Sequence, residues 1–200
     1  LADGCGLAWG RGWQAVQLGH GRPAPPPDAP VEERFGVSAT AAIYRRRALR
    51  EVSPPPGRLP PEPWAAGPFD PRFGSYYEDV DLAVRLRSKG YGALAVPAAR
   101  AAHAGSATGG RRPVGRWRLV FGNRWLVAAR LFGRRLPGRA PAMLARDLSE
   151  IAGAAARGDL RRALGGCLGL ARAARLLPAF VHRGEPLVPL PELARFRVSS

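Results

Sequence analysis

Three carboxylates, Glu78, Asp79 and Asp81, crowd into one short stretch directly after Tyr76 and Tyr77. The chain around them is strongly basic, with a formal net charge of +16. A positioned, ionised carboxylate can act as a general base, because it can accept a proton from a substrate hydroxyl. The alternative is that the acids only cap the start of a helix. The sequence of this stretch alone favours neither interpretation.

The residues that follow the acids predict a short helix from about Glu78 to Lys89. Acidic side chains in the first turn and Arg85 and Arg87 near the end both complement the helix dipole, and Gly90 is a typical terminating residue. The partial positive charge at the start of the helix is expected to favour the ionised form of the carboxylates.

Other elements must position this acidic cluster. Residues 91–97 form an apolar run closed by proline, which predicts a buried strand. Upstream, residues 32–43 predict a strand of small residues and residues 45–52 a short helix, while residues 1–21 predict short strands joined by tight turns. His103, beyond the 91–97 strand, is either a candidate metal ligand or an ordinary loop histidine.

Several short motifs follow one another in order: residues 76–82 (Tyr-Tyr-Glu-Asp-Val-Asp-Leu), Arg85, Gly90-Tyr91, Val96-Pro97, and His103 with Gly105-Ser106. Together with the segment 35–46, this series resembles the second half of the family 2 glycosyltransferases, nearest their rhamnosyltransferase-like branch, over roughly residues 1–125. The resemblance implies an α/β chain with a partial GT-A fold. It predicts a mixed sheet with flanking helices, followed by a mostly helical C-terminal tail.

The family resemblance also implies a function. The expected reaction is the inverting transfer of a sugar from a nucleotide-diphospho-sugar donor to a hydroxyl of a glycan or lipid-linked acceptor, in cell-envelope polysaccharide synthesis. It assigns the general base to Asp79 or Glu78, with a slight preference for Asp79. It assigns substrate binding to Ser38, Tyr77 and Arg85. Asp81 is expected to cap or brace the helix instead.

By the same resemblance, His103 would ligate Mn²⁺ or Mg²⁺ together with an Asp-x-Asp aspartate. Nothing in the sequence resembles the nucleotide-binding first half of the family, which carries that motif. Residues 1–110 therefore correspond to the acceptor- and metal-binding half of a catalytic domain, and residues 111–200 to a basic helical extension. We expect these 200 residues alone to be catalytically inactive and poorly folded, because a parallel sheet would lack its nucleotide-binding strands.

Positive charge is concentrated in the C-terminal part. Residues 111–200 carry 18 basic and 5 acidic side chains, whereas residues 1–110 carry 13 and 10. Such a tail could meet anionic lipid headgroups, nucleic acid or an acidic partner. Because no recognised nucleic-acid motif is present, no specific nucleic acid is expected as a partner. A basic nucleic-acid-binding module and a non-catalytic scaffold derived from a transferase remain the rival functions.

The last third of the sequence predicts amphipathic basic helices, followed by an extended end over residues 186–200. Such helices suit either a membrane interface or packing on the catalytic domain. The most apolar stretch, residues 163–181, is interrupted by Arg172, Arg175 and Pro178, so no transmembrane segment is expected. Together with two isolated cysteines, this pattern favours a cytoplasmic protein, with peripheral binding to the inner face of the plasma membrane as an option. Two apolar stripes mark these helices: Leu144, Leu148, Ile151 and Ala155, then Leu160, Leu164, Cys167 and Ala171.

Two loops complete the sequence-based predictions. The proline-rich insertion 53–68 is either a semi-rigid flap near the acceptor or inert. Residues 109–113 are expected to form a loop that closes over the phosphates of the donor.

Overall fold

The computed structural model describes residues 1–52, 67–103 and 113–198. Residues 109–112 of the predicted loop 109–113 and most of the proline-rich insertion 53–68 lie outside these ranges. Helices account for about half of the chain. The strands are β1 (Leu7–Trp9), β2 (Ala15–Gln17), β3 (Glu32–Arg34) and β4 (Ala93–Ala95). The helices are α1 (Arg46–Val52), α2 (Glu78–Ser88), α3 (Pro113–Phe132), α4 (Ala140–Ala156), α5 (Leu160–Leu176) and α6 (Leu190–Arg195).

The positions predicted for the helices and the strand around the acidic cluster are confirmed. Helix α2 begins at Glu78 and ends at Ser88, one residue from the expected end. The chain leaves it through Gly90, whose positive φ of 79° places it in the left-handed region that suits glycine. Helix α1 and strand β4 lie inside the segments predicted for them. The expectation that this strand is buried is wrong, because it lies at the surface and Leu94 is 60% exposed.

The strands differ from the predicted mixed sheet. They form two small antiparallel pairs, in which β1 pairs with β2 and β3 pairs with β4. Only three residues of the predicted 32–43 strand are in a ladder, since β3 ends at Arg34. Gly36 makes one further bridge to Leu7, and the chain then turns. The ladder with β4 ends there because the Phe35 N–H and the Gly36 carbonyl bond to Leu7 of β1 instead.

The last third is helical, as predicted, but its end is not wholly extended. Helix α6 forms within residues 186–200, because Leu193 is fully buried and anchors it to the core. The chain beyond α6 then runs beside β1. Trp9 donates its N–H to the Phe196 carbonyl at 2.8 Å and accepts from the Val198 N–H at 2.9 Å.

One hydrophobic core joins the regions before and after residue 110. Trp9 and Phe35, from the strand region, lie in the same cluster as Leu131 and Phe132 of α3 and Leu193 of α6. The fold of the described residues is therefore built around helix α3 instead of around a parallel sheet. The reason for expecting poor folding, a parallel sheet without its nucleotide-binding strands, does not apply to them.

Helices α3 and α5 approach each other unusually closely. A Cβ placed on Gly169 would lie 2.7 Å from the Phe121 Cβ and 2.8 Å from the Arg118 carbonyl oxygen. A Cβ placed on Gly165 would likewise lie only 2.5 Å from the Trp117 Cβ. Only a residue without a side chain fits at these two positions, so the glycines of α5 fix its distance from α3.

Candidate active site

A strained turn directly before α2 positions the acidic cluster at the start of that helix. Tyr76 and Tyr77 both have positive φ, 66° and 70°, a conformation that costs a non-glycine residue about 1–2 kcal/mol. Asn123 of α3 stabilises this turn through hydrogen bonds to its backbone. Its Nδ2 donates to the carbonyl oxygens of Phe73 and Ser75, both at 2.9 Å, and of Tyr76 at 2.7 Å.

Asn123 is itself fixed by α5. Arg172 donates from Nη1 to the Asn123 Oδ1 at 2.7 Å, so the side chain has partners on both of its ends. Asn123 is fully buried. The position of the acidic cluster therefore depends on the C-terminal helices, which the family resemblance treats as an extension.

The predicted substrate-binding residue Tyr77 faces the interior. Its ring packs against the core, and its hydroxyl is hydrogen-bonded to the backbone of Ala15. Burial raises the pKa of this hydroxyl, so it is protonated at neutral pH. In this structure Tyr77 stabilises the turn that leads into α2.

Asp79 lies against the loop that follows β3. Its Oδ2 accepts from the Ala39 N–H at 3.3 Å and its Oδ1 from the Val80 N–H at 2.8 Å, and the Ser38 hydroxyl also hydrogen-bonds to the carboxylate. Burial raises the pKa of Asp79, and these hydrogen bonds oppose it only in part. The structure thus brings together the predicted base Asp79 and the predicted substrate-binding residue Ser38.

Glu78 lies beside Asp79 at the first position of α2. Its Oε2 is buried and has no hydrogen-bond partner among the described residues. Burial raises the pKa of Glu78, and the charge of Asp79 raises it further. The expected effect of the helix dipole is therefore outweighed by burial. A raised pKa brings a carboxylate closer to the basicity that suits proton transfer near neutral pH.

Tyr44 is a further neighbour of this carboxylate pair and was not predicted from the sequence as a site residue. Burial and the charge of Asp79 raise the pKa of Tyr44 to about 12. Its hydroxyl therefore stays protonated at neutral pH and is available as a donor. The only signal in the sequence was its place at the end of the small-residue segment 35–46.

Arg85, the third residue predicted to bind substrate, points away from the pair. It donates from Nε to Asp81 at 2.8 Å, from Nη1 to the Val52 carbonyl at 2.5 Å and from Nη2 to the Pro68 carbonyl at 2.6 Å. Both Arg85 and Asp81 are shielded from solvent. Asp81 braces α2, as the resemblance implies, and here Arg85 serves the same structural purpose.

An ion-pair network behind the site links α2 to α3. Arg130 of α3 donates from Nη1 to Asp81 at 2.8 Å and from Nη2 to Asp70 at 2.7 Å. Burial alone would raise the pKa of Asp70, but hydrogen bonds from Arg72 and Arg130 lower it to about 2. The network therefore keeps a buried carboxylate ionised directly before the strained turn.

His103, the predicted metal ligand, lies elsewhere. Its Nδ1 is 2.9 Å from the Asp3 Oδ2, and the His20 Nδ1 lies 2.7 Å from the Asp3 carbonyl oxygen. Within residues 1–52, 67–103 and 113–198, no three His, Cys, Asp or Glu side chains are grouped so that they could hold a metal. Asp3 and His103 supply at most two ligands, so these residues do not complete a site for Mn²⁺ or Mg²⁺.

Comparisons with protein-family models, with curated proteins and with solved structures found no match to this chain. Across the described ranges, no helix combines the length and the apolar character needed to cross a bilayer. The candidate site is therefore defined by the geometry around Glu78 and Asp79.

The substitution Glu78→Gln is expected to stabilise the protein at neutral pH by roughly 1 kcal/mol, because it removes a buried charge with an unpartnered oxygen. Folding raises the pKa of Glu78. The wild-type protein is therefore most stable, with respect to this group, at low pH, where Glu78 is protonated, and its free energy of unfolding falls as the pH rises through the pKa of the folded state. Urea denaturation at pH 4 and at pH 7.5 measures the difference. A stability gap between variant and wild type that does not widen with pH would contradict this environment for Glu78.

Proposed function

We propose that this chain forms the acceptor-activating part of an inverting glycosyltransferase that uses a nucleotide-diphospho-sugar. The observation that carries the proposal is the pair Glu78 and Asp79. Both carboxylates have raised pKa values, and both stand at the start of one helix behind a strained turn. Backbone strain of this kind clusters at functional sites. A buried carboxylate oxygen without a hydrogen-bond partner lowers the stability of the fold, so its presence is also typical of a functional site.

The chemistry of such a transfer needs a base at one end of the reaction. The carboxylate of Asp79 takes the proton of the acceptor hydroxyl while that oxygen forms a bond to the anomeric carbon. The bond from the anomeric carbon to the diphosphate breaks, and the electron pair leaves with the nucleoside diphosphate. Ser38 and Tyr44 lie close enough to Asp79 to orient the carboxylate or the acceptor. Asp79 is the preferred base, since two backbone amides hold it in place.

The opposite end of the reaction requires groups that bind the diphosphate. We place these in a nucleotide-binding half of the GT-A type, with His103 as one ligand of Mn²⁺ or Mg²⁺ whose remaining ligands that half contributes. The acceptor is a glycan or lipid-linked sugar of the cell envelope, so the proposed location is the cytoplasmic face of the plasma membrane.

The direct test supplies a panel of nucleotide sugars, with candidate acceptors and Mn²⁺ or Mg²⁺, to the complete product of the gene that encodes this chain. At least one donor should be turned over, and NMR of the product should show an inverted anomeric configuration. The 200 residues alone should give no transfer. Retention of configuration would contradict the proposed single displacement, and no turnover with any donor would favour a non-catalytic scaffold.

A further inference from the structure

The outer surfaces of α4 and α5 carry a group of exposed leucines. On α5, Leu160 is 69% and Leu164 is 53% exposed. Their spacing of four residues places them on one side of each helix, away from the buried residues. We call this group the leucine face, and it consists of Leu144, Leu148, Leu160, Leu164 and Leu168.

The two helices that bear the leucine face lie side by side. They are joined by the short turn 157–159. They pack so closely that a Cβ placed on Gly166 of α5 would lie 2.6 Å from the Ile151 Cγ1 of α4. Their buried residues, such as Met143 on α4 and Ala173 on α5, belong to the core. The exposed leucines are therefore not needed to hold the hairpin together.

A positively charged groove of about 320 Å³ opens at the edge of the leucine face. It lies between α3 and α5, and Leu168 belongs both to the groove and to the face. Within the described residues, Arg118, Arg172 and Arg175 form no ion pair with a carboxylate. The groove is lined by Arg118, Leu168, Ala171, Arg172 and Arg175.

The guanidinium group of Arg172 is close enough to those of Arg118 and Arg175 to be repelled by them. Burial lowers the pKa of Arg172, and the charges of Arg118 and Arg175 lower it further. Arg172 donates to the uncharged oxygens of Asn123 and the Arg72 carbonyl. An anion in this groove would relieve the repulsion, and a phosphate with several acceptor oxygens suits arginine geometry.

We propose that the leucine face and the adjoining arginine groove bind the surface of a membrane that contains anionic phospholipid. The leucines enter the boundary between headgroups and acyl chains, and the groove takes a lipid phosphate. Apolar side chains rimmed by arginine are the pattern by which helices lie in a bilayer interface. The proposal does not depend on the proposed transferase activity.

The charges of α4 and α5 argue against a second copy of this chain as the occupant. Each of their acidic side chains already has a partner within the fold. Asp147 accepts from Arg124 and Trp125, Glu150 pairs with Arg162, and Asp159 caps the first turn of α5. Two such surfaces face to face would bring together arginine grooves with no free carboxylate between them.

The test is co-sedimentation of the 200-residue chain with phosphatidylcholine vesicles, with and without about one-third phosphatidylglycerol. Two double variants weaken the surface: Arg118→Gln with Arg175→Gln, and Leu164→Ser with Leu168→Ser. The matched controls are exposed residues elsewhere, Arg46→Gln with Arg50→Gln and Ile43→Ser with Leu94→Ser. Circular dichroism verifies the fold of each variant.

We expect selective binding to anionic vesicles, weakened about tenfold or more by both test variants and unchanged by both controls. Excess soluble glycerol phosphate should not displace the protein. Equal binding to neutral vesicles, or equal losses in the controls, would overturn the proposal. Displacement by glycerol phosphate would assign the groove to a soluble phosphate instead. A dimer by light scattering that the leucine variant dissociates would assign the face to a second copy.

Discussion

The substitution Arg130→Met is expected to lower the free energy of unfolding by about 3–5 kcal/mol, because it removes one partner of a buried ion-pair network. Arg130 connects Asp70 and Asp81, whose side chains are 2% and 0% exposed. Without this cation, two carboxylates remain buried close to each other. Asp81 keeps Arg85 and Asp70 keeps Arg72, so the loss should stop short of complete unfolding.

Arg134→Met is the matched control, since Arg134 pairs with Glu185 on the surface, where both side chains are more than half exposed. Exposed pairs contribute about 0–1 kcal/mol. Chemical denaturation of both variants at pH 7 measures the contrast. Equal, small effects would show that Arg130 does not hold α2 to α3 in the way described.

The substitution Asp79→Asn is expected to lower the turnover of sugar transfer by about 10²–10⁴-fold, the usual contribution of a general base. The amide oxygen of asparagine can still accept from the Ala39 or Val80 backbone N–H, so the loop and helix should keep their positions. Steady-state kinetics of the complete gene product, together with donor binding by calorimetry, separates the loss of turnover from any loss of affinity.

Glu78→Gln is the comparison variant for Asp79→Asn. It removes the neighbouring acid while leaving the preferred base in place, so its turnover should fall less. A larger loss in Glu78→Gln than in Asp79→Asn would assign the base to Glu78. Wild-type turnover in both variants would separate the carboxylate pair from the reaction.

The elements next to the acidic cluster were predictable because their signals are local. Acids in the first turn of α2, arginines in its last turn and Gly90 after it are close in sequence, and they define the helix by themselves. The prediction of a mixed sheet failed because the signals that decide strand pairing are not local. Strand pairing depends on distant residues, and β3 ends at Arg34 because the next two residues bond to Leu7 of β1.

The candidate site was predictable only in part. Ser38 and Asp79 come together as expected, but Arg85 turns inward to Asp81. The sequence shows that an arginine lies near the acids, but it does not show which partner the arginine side chain binds. Asn123 and Arg130 were not expected to support the site, because their partners lie about 50 residues away in the chain.

The pH dependence of transfer turnover in the wild-type protein, Asp79→Asn and Glu78→Gln tests most directly whether this carboxylate pair removes the acceptor proton, as proposed. Wild-type turnover should fall as the pH drops through the raised pKa of Asp79, since a protonated carboxyl cannot accept a proton. The residual turnover of Asp79→Asn should lack this fall, whereas Glu78→Gln should keep it. An acidic limb that persists unchanged in both variants would contradict the assignment of the base to this pair.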